Sequence, residues 1–268
     1  MSDLANACKA GDVDAVRRLV DVGADLDATD NKGWTALICA IFFDHEDVVR
    51  CLVEKGAKLE ATDNDGWTAL MYATYGRIDS VRLLVEAGAK LESVDDEGKT
   101  ALMAAIRRGR NGDVMRCLVA AGANLDATDN KGWTALMWAS YHDHGDVVRH
   151  LVEAGANLEV ADDEGKTALM YASNQTHTWV VRHLLDAGAN TEATDNYGWT
   201  ALILASMARS AETMRCLVEK GALRGSACRG EPVRQLALAS GRATSSRAWA
   251  ARFRLETHPR VVDVNKFE

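Results

Sequence analysis

Two kinds of apolar pattern alternate along the chain. One is a short solid run, such as ALICAIFF from Ala36 to Phe43 or TALMWASYH from Thr134 to His142, which suits a short helix packed on two sides. The other is a stripe. In DVVRHLVEAGA, Val148, Leu151 and Val152 fall at i, i+3 and i+4 with Arg149 and Glu153 off that line, which predicts an amphipathic second helix. HGDV breaks the pattern between the two and marks a bend. Thr134 is placed to satisfy free amides at the start of the first helix. Gly155 stands where the end of the second needs a positive φ, which glycine adopts at little steric cost. NLEVADDEG then carries the chain through a turn-rich connection.

These patterns recur with a fixed period. The pair Gly-Ala returns at Gly23, Gly56, Gly88, Gly122, Gly155, Gly188 and Gly221, in steps of 33, 32, 34, 33, 33 and 33. Between the pairs lies a phrase of Asp, two residues, Gly, one residue, Thr, Ala, Leu, with its glycine at Gly33, Gly66, Gly98, Gly132, Gly165 and Gly198. The stripe keeps Leu19, Leu52, Leu84, Leu118, Leu151, Leu184 and Leu217 in one row. One helix pair cannot bury both its faces, so the units are expected to stack with the leucines as a continuous ladder. The two length changes fall at YGRID and RRGRNGD, both at the bend, where a loop tolerates them.

A 33-residue unit with DxxGxTxLxxA, two short helices and a Gly-Ala turn resembles the ankyrin repeat. The resemblance implies an all-α solenoid of stacked helix-turn-helix units with hairpin-like connecting loops, over residues 1–223. It divides into an N-terminal half unit (Leu4 to Thr29) and six full units starting at Asp30, Asp63, Asp95, Asp129, Asp162 and Asp195. The family's TPLH tetrapeptide is here TALI or TALM, so Ile38, Met71, Met103, Met137, Met170 and Ile203 make an apolar row where the family carries His.

Composition fits a soluble globular protein: 268 residues, 47% hydrophobic and 26% charged. The longest apolar run, eight residues, falls short of the ~18 needed to cross a bilayer, and the N-terminus has no secretory pattern. A cytoplasmic or nuclear protein without a membrane partner is therefore expected. The six cysteines are scattered singly and read as reduced core thiols. Net charge is −8, divided unequally: residues 224–268 hold nine Lys or Arg against four Asp or Glu, leaving the body at −13 and the tail at +5. The tail, 224–268, reads as a basic degenerate capping unit, because GEPVRQLALASGRA echoes a first helix and stacked arrays need a polar outer face.

Nothing in the sequence points to catalysis, a metal or a cofactor. GxSxG, a P-loop and GxGxxG after a strand do not occur. The carboxylates at Asp30, Asp63, Asp95, Asp129, Asp162 and Asp195 repeat as turn acceptors do, whereas catalytic acids would be unique. His142, His144, His150 and His183 lie near one another along the array, but stacked helices stand too far apart for a closed ligand set. A non-enzymatic protein is expected.

What remains is surface. In ankyrin arrays, the second, third and fifth residues of each unit, with two near the end of the first helix, grip partners. By that resemblance the candidates are Trp34, Trp67, Lys99, Trp133, Lys166 and Trp199 at the fifth place, with Phe42, Tyr75, Arg107 and Tyr141 at the helix end. Packing against the neighbouring hairpin is the other account of a tryptophan there, and the pattern leaves the two open. Tyr72, Trp138 and Tyr171 lie on the helix-one face expected to pack inward. The hairpin tips are acidic, at Asp63 to Asp65, Asp95 to Glu97 and Asp162 to Glu164. Rings bordered by carboxylates suit a protein partner with apolar and basic surface and repel nucleic acid. The expectation is a monomeric scaffold or adaptor. A targeting or inhibitory subunit of an enzyme complex, docked by the basic tail, is the alternative.

Overall fold

The structure, a computed structural model, describes residues 3–107 and 112–222. The basic tail, its boundary near 224 and its reading as a cap lie outside the described residues, as does the longer bend at RRGRNGD.

Fourteen helices are formed among the described residues, in seven antiparallel pairs. They are α1 (Asp3–Ala10) with α2 (Val13–Asp21), α3 (Ala36–Phe42) with α4 (Glu46–Glu54), and α5 (Ala69–Ala73) with α6 (Ile78–Glu86). Then come α7 (Ala101–Arg107) with α8 (Gly112–Ala120), α9 (Ala135–Tyr141) with α10 (Gly145–Glu153), α11 (Ala168–Asn174) with α12 (Thr178–Asp186), and α13 (Ala201–Met207) with α14 (Ala211–Glu219). First helices pack on first helices of neighbouring units and second on second, so the layers run along the array.

Each local signal has its structural counterpart. The hydroxyls of Thr35, Thr68, Thr134 and Thr200 accept from the amides of Ile38, Met71, Met137 and Ile203, so the threonine caps without a histidine beside it. Thr167 makes no such side-chain bond. At the other end Gly155, at φ +90, turns the chain so that the Ala156 amide reaches the Leu151 carbonyl at 3.0 Å. One expectation shifts. α10 begins at Gly145, inside the HGDV stretch, and the reversal is made by Asp143 at φ +59, as it is by Asp44 at φ +64 three units earlier in the chain.

The leucine ladder is the centre of the core. Leu52, Leu84, Leu118, Leu151, Leu184 and Leu217 are fully buried, each worth roughly 1.5–3 kcal/mol of transfer free energy, while Leu19 at the array's edge is half-buried. The hairpins are tied to one another as well. The amide of Asn64 donates to the Lys32 carbonyl at 3.1 Å, Asn130 to Glu97 at 3.0 Å and Asn196 to Glu164 at 2.9 Å. Gly33 permits this approach, since a Cβ there would lie 2.7 Å from the Asn64 nitrogen.

Candidate partner-binding surface

The first aspartate of each unit organises the surface. One oxygen of Asp63 accepts the amides of Asp65 and Trp67 at 3.0 and 2.8 Å, closing the tight turn that sets Trp67 in place. The same pair of bonds holds Trp34 on Asp30, Lys99 on Asp95, Trp133 on Asp129, Lys166 on Asp162 and Trp199 on Asp195. One oxygen of each recurring carboxylate is thus engaged in holding its turn.

The other oxygen finds a partner nine residues on. Tyr72 donates its hydroxyl to Asp63 at 2.5 Å, Tyr171 donates to Asp162, and the Trp138 indole nitrogen donates to Asp129 at 3.0 Å. Burial and the adjoining carboxylate push both tyrosine hydroxyls well above the usual phenol range, which keeps them donors. Asp30 meets Lys9 instead, at 3.6 Å. Its carboxyl would be raised by burial, but the Lys32 and Trp34 amides and the Lys9 charge outweigh that and hold it below the usual range.

On this frame sit two ring clusters. In the first, Trp34 lies 4.6 Å from Phe42 and 5.5 Å from Tyr72, and Trp67 lies 5.4 Å from Tyr72 and 5.5 Å from Tyr75. In the second, Trp133 lies 4.3 Å from Tyr171, 4.8 Å from Trp138 and 5.3 Å from Tyr141. The three fifth-place and helix-end ring pairs of the sequence reading therefore touch. A rule also emerges: the fifth residue of one unit packs against the tenth of the next, as Trp34 does on Tyr72, Lys99 on Trp138 and Trp133 on Tyr171. Trp67 is the exception among these, because the tenth residue of the next unit is Ala104.

Trp34, Trp67, Trp133, Trp199, Tyr75, Tyr141 and Lys166 are half-buried, and Phe42 and Arg107 are exposed. Lys99 departs from the expectation of a contact residue. It is 8% exposed, its ammonium held between Glu97 and the Trp138 ring at 4.8 Å, because the unit's tenth residue is alanine and the lysine stem fills the space toward the next unit. The ion pair holds the Glu97 carboxyl below its ordinary range. Tyr72 and Tyr171 are buried as expected of core residues, whereas Trp138 is only half-buried and stacks on His142. Among the exposed apolar residues, Phe43, Trp179 and Tyr197 were missed as candidates, whereas Met207 falls in the helix-end row that the resemblance names. Tyr197 occupies the third place of its unit, so the family rule pointed to it as well. Phe43 is one residue too many for a seven-residue first helix and falls on the bend.

A histidine group borders the second cluster. His142 and His144 stack at 5.8 Å, and His177 meets Asp143 at 3.7 Å. Burial first, then the positive charges of Arg107 and His177, lowers the pKa of His142, and burial and His142 lower that of His144. Among the described residues no group of three His, Cys, Asp or Glu side chains is placed to hold a metal ion, and no helix is long and apolar enough to cross a membrane. Burial raises the Cys8 thiol to about 12 and the Cys39 thiol to about 11, so both stay protonated and unreactive.

Comparison with known proteins matches this architecture. A family model described as ankyrin repeats (3 copies) matches residues 4–95, 87–162 and 155–226. Among solved structures, the ankyrin repeat domain of Bcl-3, described as a unique member of the IkappaB protein family, is 30% identical with a TM-score of 0.76, covering 81% of this chain and 98% of that one. The human ASB11 ankyrin repeat domain is 26% identical with a TM-score of 0.70, covering 82% and 98%. An ankyrin repeat domain from Acinetobacter baumannii AYE is 33% identical with a TM-score of 0.65, covering 70% and 98%. A search of curated proteins finds no match.

Proposed function

Because the chain belongs to the ankyrin-repeat family, whose domains are generally protein–protein interaction modules, we propose that it is a non-catalytic scaffold or adaptor that binds a protein partner through its concave face. One observation carries this reading. Rings that the scaffold leaves partly or fully exposed, Trp67, Tyr75, Phe42 and Phe43, belong to two adjacent units, with Trp67 fixed by the bond of its amide to Asp63 and the others at the ends of the first helices. Tryptophan and tyrosine on a fixed frame lose little entropy on contact, and interface energy concentrates in such residues.

The partner presents apolar surface and basic residues, since carboxylates at Asp44, Asp65 and Asp96 border the rings and stand exposed. The same carboxylates and the acidic body repel phosphate backbones, so nucleic acid is not the target. The protein acts as a monomer, cytoplasmic or nuclear, without metal or cofactor, and the preformed surface changes shape little on binding.

Affinity capture from cell extract followed by mass spectrometry, comparing wild type with a Phe42→Ala, Trp67→Ala double variant, tests this. Partners retained by wild type and lost by the variant, with the variant still fully folded under the capture conditions by circular dichroism, are the expected result. Equal recovery by both proteins would refute the assignment to this face.

A further inference from the structure

The concave face is not uniform along the array. Two ring clusters are separated by the unit that starts at Asp95, whose fifth place holds Lys99 and whose helix end holds exposed Arg107, with Ala104 where the neighbouring units carry Tyr72 and Trp138. Along the helix-end row the order is ring, ring, cation, ring: Phe42, Tyr75, Arg107, Tyr141. The Lys99 charge is met by Glu97, but Arg107 ends its helix in solvent, and its field reaches both Glu97 and His142. A partner that lies across both clusters must therefore carry something complementary to a guanidinium midway.

The form of that partner follows from what the face offers. Its hairpin amides and carbonyls are already engaged, Asp63 with Trp67, Asn64 with Lys32 and Asp129 with Trp133. Those groups, among the described residues, are not open for an extended peptide to pair with, which favours a segment that satisfies its own backbone. A helix does so. Stacked helices stand about 8–10 Å apart, so the two-unit step from Tyr75 to Tyr141 is roughly 16–20 Å, which a helix covers in about 11–13 residues at 1.5 Å each.

Resting on the reading of the concave face given above, we propose that its occupant is an amphipathic helix with two large apolar residues about three turns apart and an Asp or Glu between them. The apolar residues seat on the Trp67–Tyr75 and Trp133–Tyr141 rings. The carboxylate meets Arg107. Basic residues on the helix flanks face the acidic hairpin tips.

The test is a displayed library of 16-residue helical peptides, randomised along one face and panned against the full chain. Enriched peptides are expected to show two apolar residues about 11–13 positions apart with an acid between, and to lose about tenfold in affinity on Tyr141→Ala or Trp67→Ala. Panning against Arg107→Glu, a change at an exposed side chain with circular dichroism as the check of an intact fold, should turn the middle preference to Lys or Arg. Peptides that depend on the rings but show no acidic preference, or that use one cluster only, overturn the helix proposal and leave the concave-face reading standing. Peptides indifferent to the ring variants overturn both. Absence of any enrichment overturns the helix proposal.

Discussion

The two ring clusters are built from the same positions and use them differently. Around Trp67 the rings belong to one unit: Tyr72 and Tyr75 are its own, and the next unit answers with Ala104. Around Trp133 the rings join two units, since Tyr171 lies 4.3 Å away across the boundary. Phe43 lies beside the first cluster, and at the equivalent place beside the second stands His142. A repeated position therefore has no single role. Whether a fifth-place tryptophan packs on a ring across the unit boundary depends on the tenth residue of its successor.

The sharpest way to break this comparison is to truncate both tryptophans. Trp133→Ala should cost about 3 kcal/mol, because it empties a boundary lined by three rings, whereas Trp67→Ala should cost about 1.5 kcal/mol. Urea unfolding monitored by circular dichroism reads both. Equal losses would mean that the boundary contact adds nothing, and the division of roles would fall.

A control follows with a smaller effect, about 2 kcal/mol. Tyr72→Phe and Tyr171→Phe each remove the hydroxyl that donates to a buried aspartate, leaving a carboxylate oxygen without that donor. Because both clusters share this device, the two costs should agree. A large difference would show that the frames beneath the clusters differ too, and the Trp67 and Trp133 losses could no longer be compared.

Acid should separate the clusters by a smaller margin. His142 and His144 have pKa values lowered on folding, so the unfolded chain takes up protons first as pH falls through about 6.5. Stability is then full above that value and declines below it. His142→Phe, which copies Phe43 of the first cluster, should flatten the decline between pH 7 and 5.5 in thermal melts. A pH profile unchanged by His142→Phe and by His144→Gln would remove the histidines from the account.

The period, the helix pairs, the glycine turns and the leucine ladder were all legible in the sequence, because each is a local requirement that every unit must meet. The surface was legible only in part. Trp34, Phe42, Trp67, Tyr75, Trp133 and Tyr141 could be named from their place in the unit, but which rings are held by a neighbour depends on contacts a whole period away. Trp138 could not be recognised as a half-exposed donor to Asp129, since its helix face reads as apolar. Lys99 misled for the same reason, since a charged residue in a surface row reads as solvent-facing until the alanine five residues on is seen to leave room for its stem.

Lys99 also supplies the smallest of these tests. Its stem fills the boundary that a ring fills elsewhere, and its ammonium lies over the Trp138 face while paired with Glu97. Lys99→Met keeps the stem and removes the charge. If the residue works by filling space, the loss should be no more than about 1 kcal/mol, below what a desolvated cation–π contact contributes. Lys99→Ala, which removes the stem as well, should cost about 2 kcal/mol by opening the boundary. Equal losses in the two variants would assign the role to charge instead. The boundary between the Asp95 and Asp129 units would then differ in kind from the ring-filled boundary at Trp133.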